Sequence, residues 1–143
     1  MPDVSNSGPV MLLDTSTRTG VIALGNPFQK TGYTRTIEPS QVHGKELVPA
    51  IGRLIHDSGY SIQDISALAV GIGPGSFTGL RVGLSVVKTM AEVLGIPVIP
   101  IDSLLLPVLL LEEKYRTAVS IADAQRGSVY CSVYERNPIS GLW

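Results

Sequence analysis

The chain has 143 residues, a formal net charge of −1 and only 16% charged residues, with a positive mean hydropathy. That length holds one domain with a real core, and the near-neutral charge without a Lys/Arg cluster argues against autonomous tight nucleic-acid binding. A single cysteine, Cys131, excludes an internal disulfide framework and fits a reducing cytoplasm, no apolar run approaches the ~18 residues of a membrane span, and the polar segment 1–9 does not read as a signal peptide.

In chain order, Val10 to Asp14 reads as an apolar strand ending on an acid, Thr15 to Gly20 as a polar turn, and Val21 to Gly25 as a second strand. Gly32 to Ile37 alternates like a third, more exposed strand, so the chain opens as an antiparallel meander. A helix is expected over His43 to Asp57, entered near Ser40. It carries Leu47, Val48, Ala50, Ile51, Leu54 and Ile55 on one broad face. Pro49 requires the regular helix to start close before it or to kink there, and Gly59 stops it. Ile65 to Val70 is the next apolar strand.

The glycine-rich stretch Gly71 to Gly83 links that strand to the long helix expected over Phe77 to Leu94. Gly71, Gly73 and Gly75 allow positive φ or close backbone approach, and Ser76 or Thr78 can cap the helix. Such a loop can hold an anion or pack tightly on other backbone. No Gly-Lys-Ser/Thr follows, so it is not a Walker loop, and Ser76 stands where a dinucleotide fingerprint needs its third glycine. Close helix–strand packing is the favoured reading. On the long helix Arg81, Ser85, Lys88, Thr89 and Glu92 share one side. Leu80, Val82, Leu84, Val86, Val87, Met90, Ala91, Val93 and Leu94 fill an arc of about 200°. A helix on a sheet needs about half of that, so an apolar flank is left for a neighbour or a partner.

After Gly95, Ile96 to Ile101 reads as a short strand and Leu104 to Leu111 as a short apolar helix. Thr117 to Asp123 and Val129 to Tyr134 form a hairpin. It repeats the opening pattern of strand, Asp, polar turn with Arg and Gly, and strand about 110 residues later. This order suggests a duplicated two-lobed architecture of the actin/Hsp70/sugar-kinase type: an α/β, ribonuclease H-like lobe with a mixed five-stranded sheet, followed by the first hairpin of a second lobe. The expected division is 1–9, a polar extension; 10–116, the first lobe; and 117–143, the start of a truncated second lobe.

Gly73-Pro74-Gly75-Ser76-Phe77-Thr78-Gly79-Leu80-Arg81-Val82-Gly83 closely resembles the signature of the bacterial TsaB (YeaZ-like) family. Leu13-Asp14-Thr15-Ser16, His43 with Leu47-Val48-Pro49, Gly95-Ile96-Pro97-Val98 and Asp123 to Tyr130 extend the resemblance over most of Val10 to Tyr134. It implies a non-catalytic cytoplasmic subunit supporting N6-threonylcarbamoyladenosine formation at position 37 of tRNA. The implied partner is a catalytic paralogue of the same fold, met through the first two helices, with a homodimer in its absence. Contact with tRNA is expected only through that assembly. No cofactor is expected in this chain, although ATP or ADP can enter the assembled complex. Family members carry a full second lobe, of which only the first hairpin is present here.

The candidate interface is Leu47, Ile51, Leu54 and Ile55 with Arg81, Val82, Val86, Met90 and Val93, the outward flank of each helix being left open. A competing reading is an ATP-dependent phosphotransferase or hydrolase using Asp14, Thr15, Ser16, Gly73, Gly75 and Ser76. His43 and His56 stand about 140° apart on a helix and cannot share a metal ion. Cys131, in a strand without a nearby histidine, is expected to be a buried inert thiol.

Overall fold

The structure is a computed structural model, in which residues 8–29, 31–38 and 46–143 are described. The expected meander forms as β1 (Val10–Asp14), β2 (Gly20–Asn26) and β3 (Thr31–Ile37), each pair antiparallel. Next come α1 (Leu47–Ser58), a 3-10 turn (Ile62–Asp64), β4 (Ala67–Gly71) and α2 (Phe77–Leu94). The chain continues through β5 (Val98–Ile101) and α3 (Leu105–Val108) to the hairpin β6 (Thr117–Gln125) and β7 (Ser128–Glu135). The main sheet has the order β3-β2-β1-β4-β5, with β4 and β5 parallel to β1. β6 and β7 form a separate two-stranded sheet.

Register explains why one face of the main sheet is covered. Met11 lies opposite Leu24 and Leu68, and Leu13 opposite Ile22 and Val70. These six side chains point to one face, as the two-residue period of a strand requires. α1 and α2 both lie on it, and Leu47, Ile51, Leu54, Ile55 and Val87 join the same buried cluster. β4 is buried along its whole length, as its unbroken run Ala67-Leu68-Ala69-Val70 implies for a parallel strand.

The long helix α2 has the bounds expected from its caps: Ser76 Oγ accepts from Gly79 N, and Gly95 closes the helix at φ 66°. α1 begins at Leu47 rather than His43, which puts Pro49 in its first turn where no intrahelical partner is lost. His43 and the entry near Ser40 lie outside the described residues. Two strands start later than expected, at Ala67 and Val98 rather than Ile65 and Ile96. The apolar helix over Leu104 to Leu111 shortens to Leu105–Val108, and Leu109 and Leu110 are exposed.

The two hairpins share one local feature. Asp14 Oδ1 accepts from Ser16 N at 2.7 Å, and Asp123 Oδ1 accepts from Gln125 N at 2.7 Å. Both are the aspartate turn that bonds backbone two residues on. The second copy differs in its surroundings. Val119, Ile121, Val129, Cys131 and Val133 share one face through the pairings Ile121↔Cys131 and Val119↔Val133, and all five are exposed. Cys131 is therefore not the buried thiol that its strand position suggests. A period of two shows which residues share a face, and nothing in it says whether that face is covered.

Candidate protein–protein interface

α1 uses its apolar stripe largely on its own sheet. Leu47 and Leu54 are buried at 2% and 3% exposure, which corrects their expected place on a partner-facing surface. Ile51 and Ile55 are also buried, but their edges reach the gap between the helices. Beside them, Val48 is 62% exposed and Gly52 is open. The outward flank of α1 is thus Val48 and Gly52, one step round the helix from the residues first expected there.

α2 is held by a narrower contact. Its buried residues are Gly79, Gly83 and Val87, four apart and on one line. Gly71 and Gly75 continue that spacing upstream, and all four glycines press on one segment. A Cβ on Gly71 would enter the Asp14 carboxylate, and one on Gly75 would strike the Ser16 carbonyl oxygen. On Gly79 it would meet the Thr15 carbonyl oxygen, and on Gly83 Thr15 Oγ1. The glycines therefore serve close approach of helix and loop to the β1–β2 turn. Sequence reasoning favoured this role for the loop but did not extend it to Gly79 and Gly83. The four-residue spacing was the signal that could have found them.

Because α2 sits this low on its glycine side, its bulkier residues fall on the flanks. Val82, Val86 and Met90 are only partly buried, and Val93 is 79% exposed. Together the helices enclose a groove of about 450 Å³ lined by Val48, Ile51, Gly52 and Ile55 from α1 and Val86 and Met90 from α2. Ile62 closes one end, and Ser85 and Thr89 form the solvent edge. No lining residue carries a formal charge, so the groove can meet an apolar surface without desolvating an ion. Arg81 stands about 140° round α2 from Val86. Its guanidinium covers the ring of Phe77 at 5.5 Å, away from the groove.

The residues proposed for nucleotide contact come together, but around one another. Thr15 Oγ1 donates to Gly79 O at 2.7 Å, and Ser16 O accepts from Ser76 N at 2.6 Å. Asp14, Thr15 and Ser16 are all buried, and Ser16 Oγ is enclosed without a hydrogen-bond partner. Gly73 exchanges bonds with Ser103, its N–H donating to Oγ at 3.0 Å and its carbonyl accepting from Ser103 N at 3.0 Å. The N–H groups of Ser16, Gly73 and Ser76, which a phosphate would need, already have protein acceptors. Among the described residues no three of His, Cys, Asp and Glu are grouped to hold a metal ion. No described helix is long and apolar enough to cross a membrane.

A five-stranded mixed sheet in this order, with its helices against one face and a related hairpin following, defines an actin-like, ribonuclease H-like lobe. The family model described as "TsaD: tRNA N6-adenosine threonylcarbamoyltransferase" matches residues 37–138. The chain is 33% identical over 132 residues to the tRNA threonylcarbamoyladenosine biosynthesis protein TsaB of Haemophilus influenzae, covering 91% of this chain and 55% of that protein. With the Escherichia coli protein of the same name it shares 30% identity over 136 residues, covering 94% and 58%. The solved structure of YeaZ from Pseudomonas aeruginosa superposes with a TM-score of 0.78 at 27% identity, over 92% of this chain and 62% of that one. The chain thus belongs to the family that this model describes and, by its relatives and structural neighbour, to the TsaB/YeaZ group within it. It spans little more than half the length of the curated relatives it matches, 55% and 58%.

Proposed function

We propose that this chain is a cytoplasmic partner subunit in tRNA N6-threonylcarbamoyladenosine formation, supporting a catalytic subunit of the same fold rather than carrying out the transfer. The observation that carries the reading is the uncharged apolar groove between α1 and α2, left on the outside after both helices have covered their sheet. The names of the relatives support the pathway, and the match to a transferase family model is consistent with a partner of the same fold, with an equivalent pair of helices. A same-fold partner offers a quasi-symmetric contact, and a second copy can take its place when it is absent. Two such helix pairs in a four-helix contact would bury ~1,600 Å², the size of a typical specific interface. Transfer chemistry and tRNA contact would then lie with the partner. Residues 10–116 form the lobe that docks, and 117–143 open a second lobe.

The test mixes this chain with the threonylcarbamoyltransferase subunit and reads both complex size and modified adenosine on tRNA. Val86→Asp should abolish pairing and the gain in modification while the far-ultraviolet circular dichroism stays unchanged. Pairing that survives Val86→Asp in a folded protein would move the interface elsewhere.

A further inference from the structure

The open end of the β6–β7 hairpin sets two arginines against each other. Thr117 pairs with Glu135, and the next rung is closed by Arg136 N donating to Arg116 O at 2.8 Å. Arg116 and Arg136 therefore stand directly opposite across the antiparallel pair, where like charges repel. Among the described residues neither side chain has a carboxylate partner. Backbone carbonyls fix the Arg136 guanidinium instead: Nε donates to Tyr115 O at 3.2 Å, Nη1 to Gly141 O at 2.9 Å and Nη2 to Leu111 O at 3.1 Å. The Trp143 ring lies 4.3 Å from it, with Nε1 enclosed and lacking an acceptor. The Arg116 side chain is exposed and spends none of its donors within the chain.

Both arginines line an open cavity of about 350 Å³ with Glu113, Asn137, Ile139 and Ser140. We propose that this cavity binds a small aliphatic monocarboxylate, held by the free fork of Arg116 beside the fixed charge of Arg136. Two N–H groups of a guanidinium match the two oxygens of a carboxylate. Asn137 Oδ1 accepts from Ile139 N and Ser140 N, which orients the amide and leaves its NH₂ for a ligand. Ser140 Oγ accepts from Leu142 N, so its hydroxyl hydrogen is also unspent. Glu113 decides the charge of the ligand. Against two arginines it leaves the lining with one net positive charge, which a monoanion neutralises and a phosphate dianion exceeds. Pro138 and Ile139 supply apolar lining for a short alkyl chain. The cavity shares no residue with the groove between α1 and α2, so it stands apart from the partner-subunit reading.

Trp143 is the only tryptophan of the chain, and its fluorescence reports on Arg136 directly. Titration of the full chain with sodium butyrate at pH 8, at constant ionic strength, should give a saturable change half-complete at about 1 mM. Acetate, two methylenes shorter, should bind several-fold more weakly. Inorganic phosphate, mostly dianionic at that pH, should also bind more weakly than butyrate. Arg116→Gln should weaken butyrate binding about tenfold or more. Arg116→Lys, which keeps the charge and loses the fork, should restore only part of it. Glu113→Gln should tighten binding a few-fold. Both positions are exposed, so circular dichroism should be unchanged in all three variants. A response linear in butyrate, or one that survives Arg116→Gln in a folded protein, would overturn the site. Phosphate binding as tightly as butyrate would overturn the monocarboxylate as its ligand. Should the Arg116 variants fail to fold, Glu113→Gln decides alone, and a butyrate affinity that stays the same or falls would overturn the proposal.

Discussion

Thr15 and Gly79 are locked together from both directions. The Thr15 hydroxyl donates a buried 2.7 Å bond to the Gly79 carbonyl, and the Thr15 carbonyl occupies the place where a Cβ on residue 79 would stand. Neither partner can retreat alone, since one is fixed in the β1–β2 turn and the other in the first turn of α2. Gly79→Ala should therefore cost about 2 kcal/mol or more in a urea melt. Thr15→Val, which removes this bond while the Gly79 carbonyl keeps its helical donor, should cost about 1 kcal/mol. A Gly79→Ala change near zero would mean that helix and turn are not in contact at this point.

The two apolar flanks of α1 should respond oppositely to the same charge. Leu54→Asp puts a carboxylate among Leu47, Ile51 and the sheet side chains, where nothing can pair with it, and should prevent folding. Val48→Asp lies in solvent and should change stability by less than about 0.5 kcal/mol. Circular dichroism of the two purified variants checks the contrast.

The hairpin is tethered to the segment between β5 and α3 by Tyr134, whose hydroxyl donates to Asp102 Oδ2 at 2.7 Å. Burial first, and then the bond to Asp102, raise the phenol above its ordinary value of 10.0. A raised folded-state value favours the protonated form, so the tether is fully present below about pH 10 and is lost as pH rises through the folded value. Tyr134→Phe should cost about 1 kcal/mol at neutral pH and flatten the alkaline loss of stability. Stability against pH from 7 to 11, for both proteins, gives the comparison.

With Asp14, Thr15 and Ser16 enclosed, calorimetry with ATP and magnesium should show no binding tighter than ~100 μM. Tighter binding that disappears in Asp14→Ala, in a variant still folded, would favour the phosphotransferase reading.

Local rules made some elements legible and left others hidden. α2 could be read from Phe77 to Leu94 because its signals, Ser76 before it and Gly95 after it, lie within one turn of its ends. Its surplus flank was legible too, since an apolar arc wider than a sheet can cover shows in the periodicity alone. The direction of α1 was not. Leu47, Ile51, Leu54 and Ile55 make a stripe, and a stripe looks the same whether it meets a sheet or a partner. The glycine contacts were hidden for another reason: Gly79 and Gly83 meet Thr15, which lies more than sixty residues earlier in the chain. Cys131 shows the same limit in a strand, where alternation gives the face and tertiary context decides its exposure.

Hydrogen–deuterium exchange of this chain, alone and with the transferase subunit, tests the central claim most directly. The account predicts new protection on the exposed flanks of both helices, in the peptides spanning Val48 to Ile55 and Val82 to Val93. Protection confined to β6 and β7, with both helices exchanging as before, would contradict it.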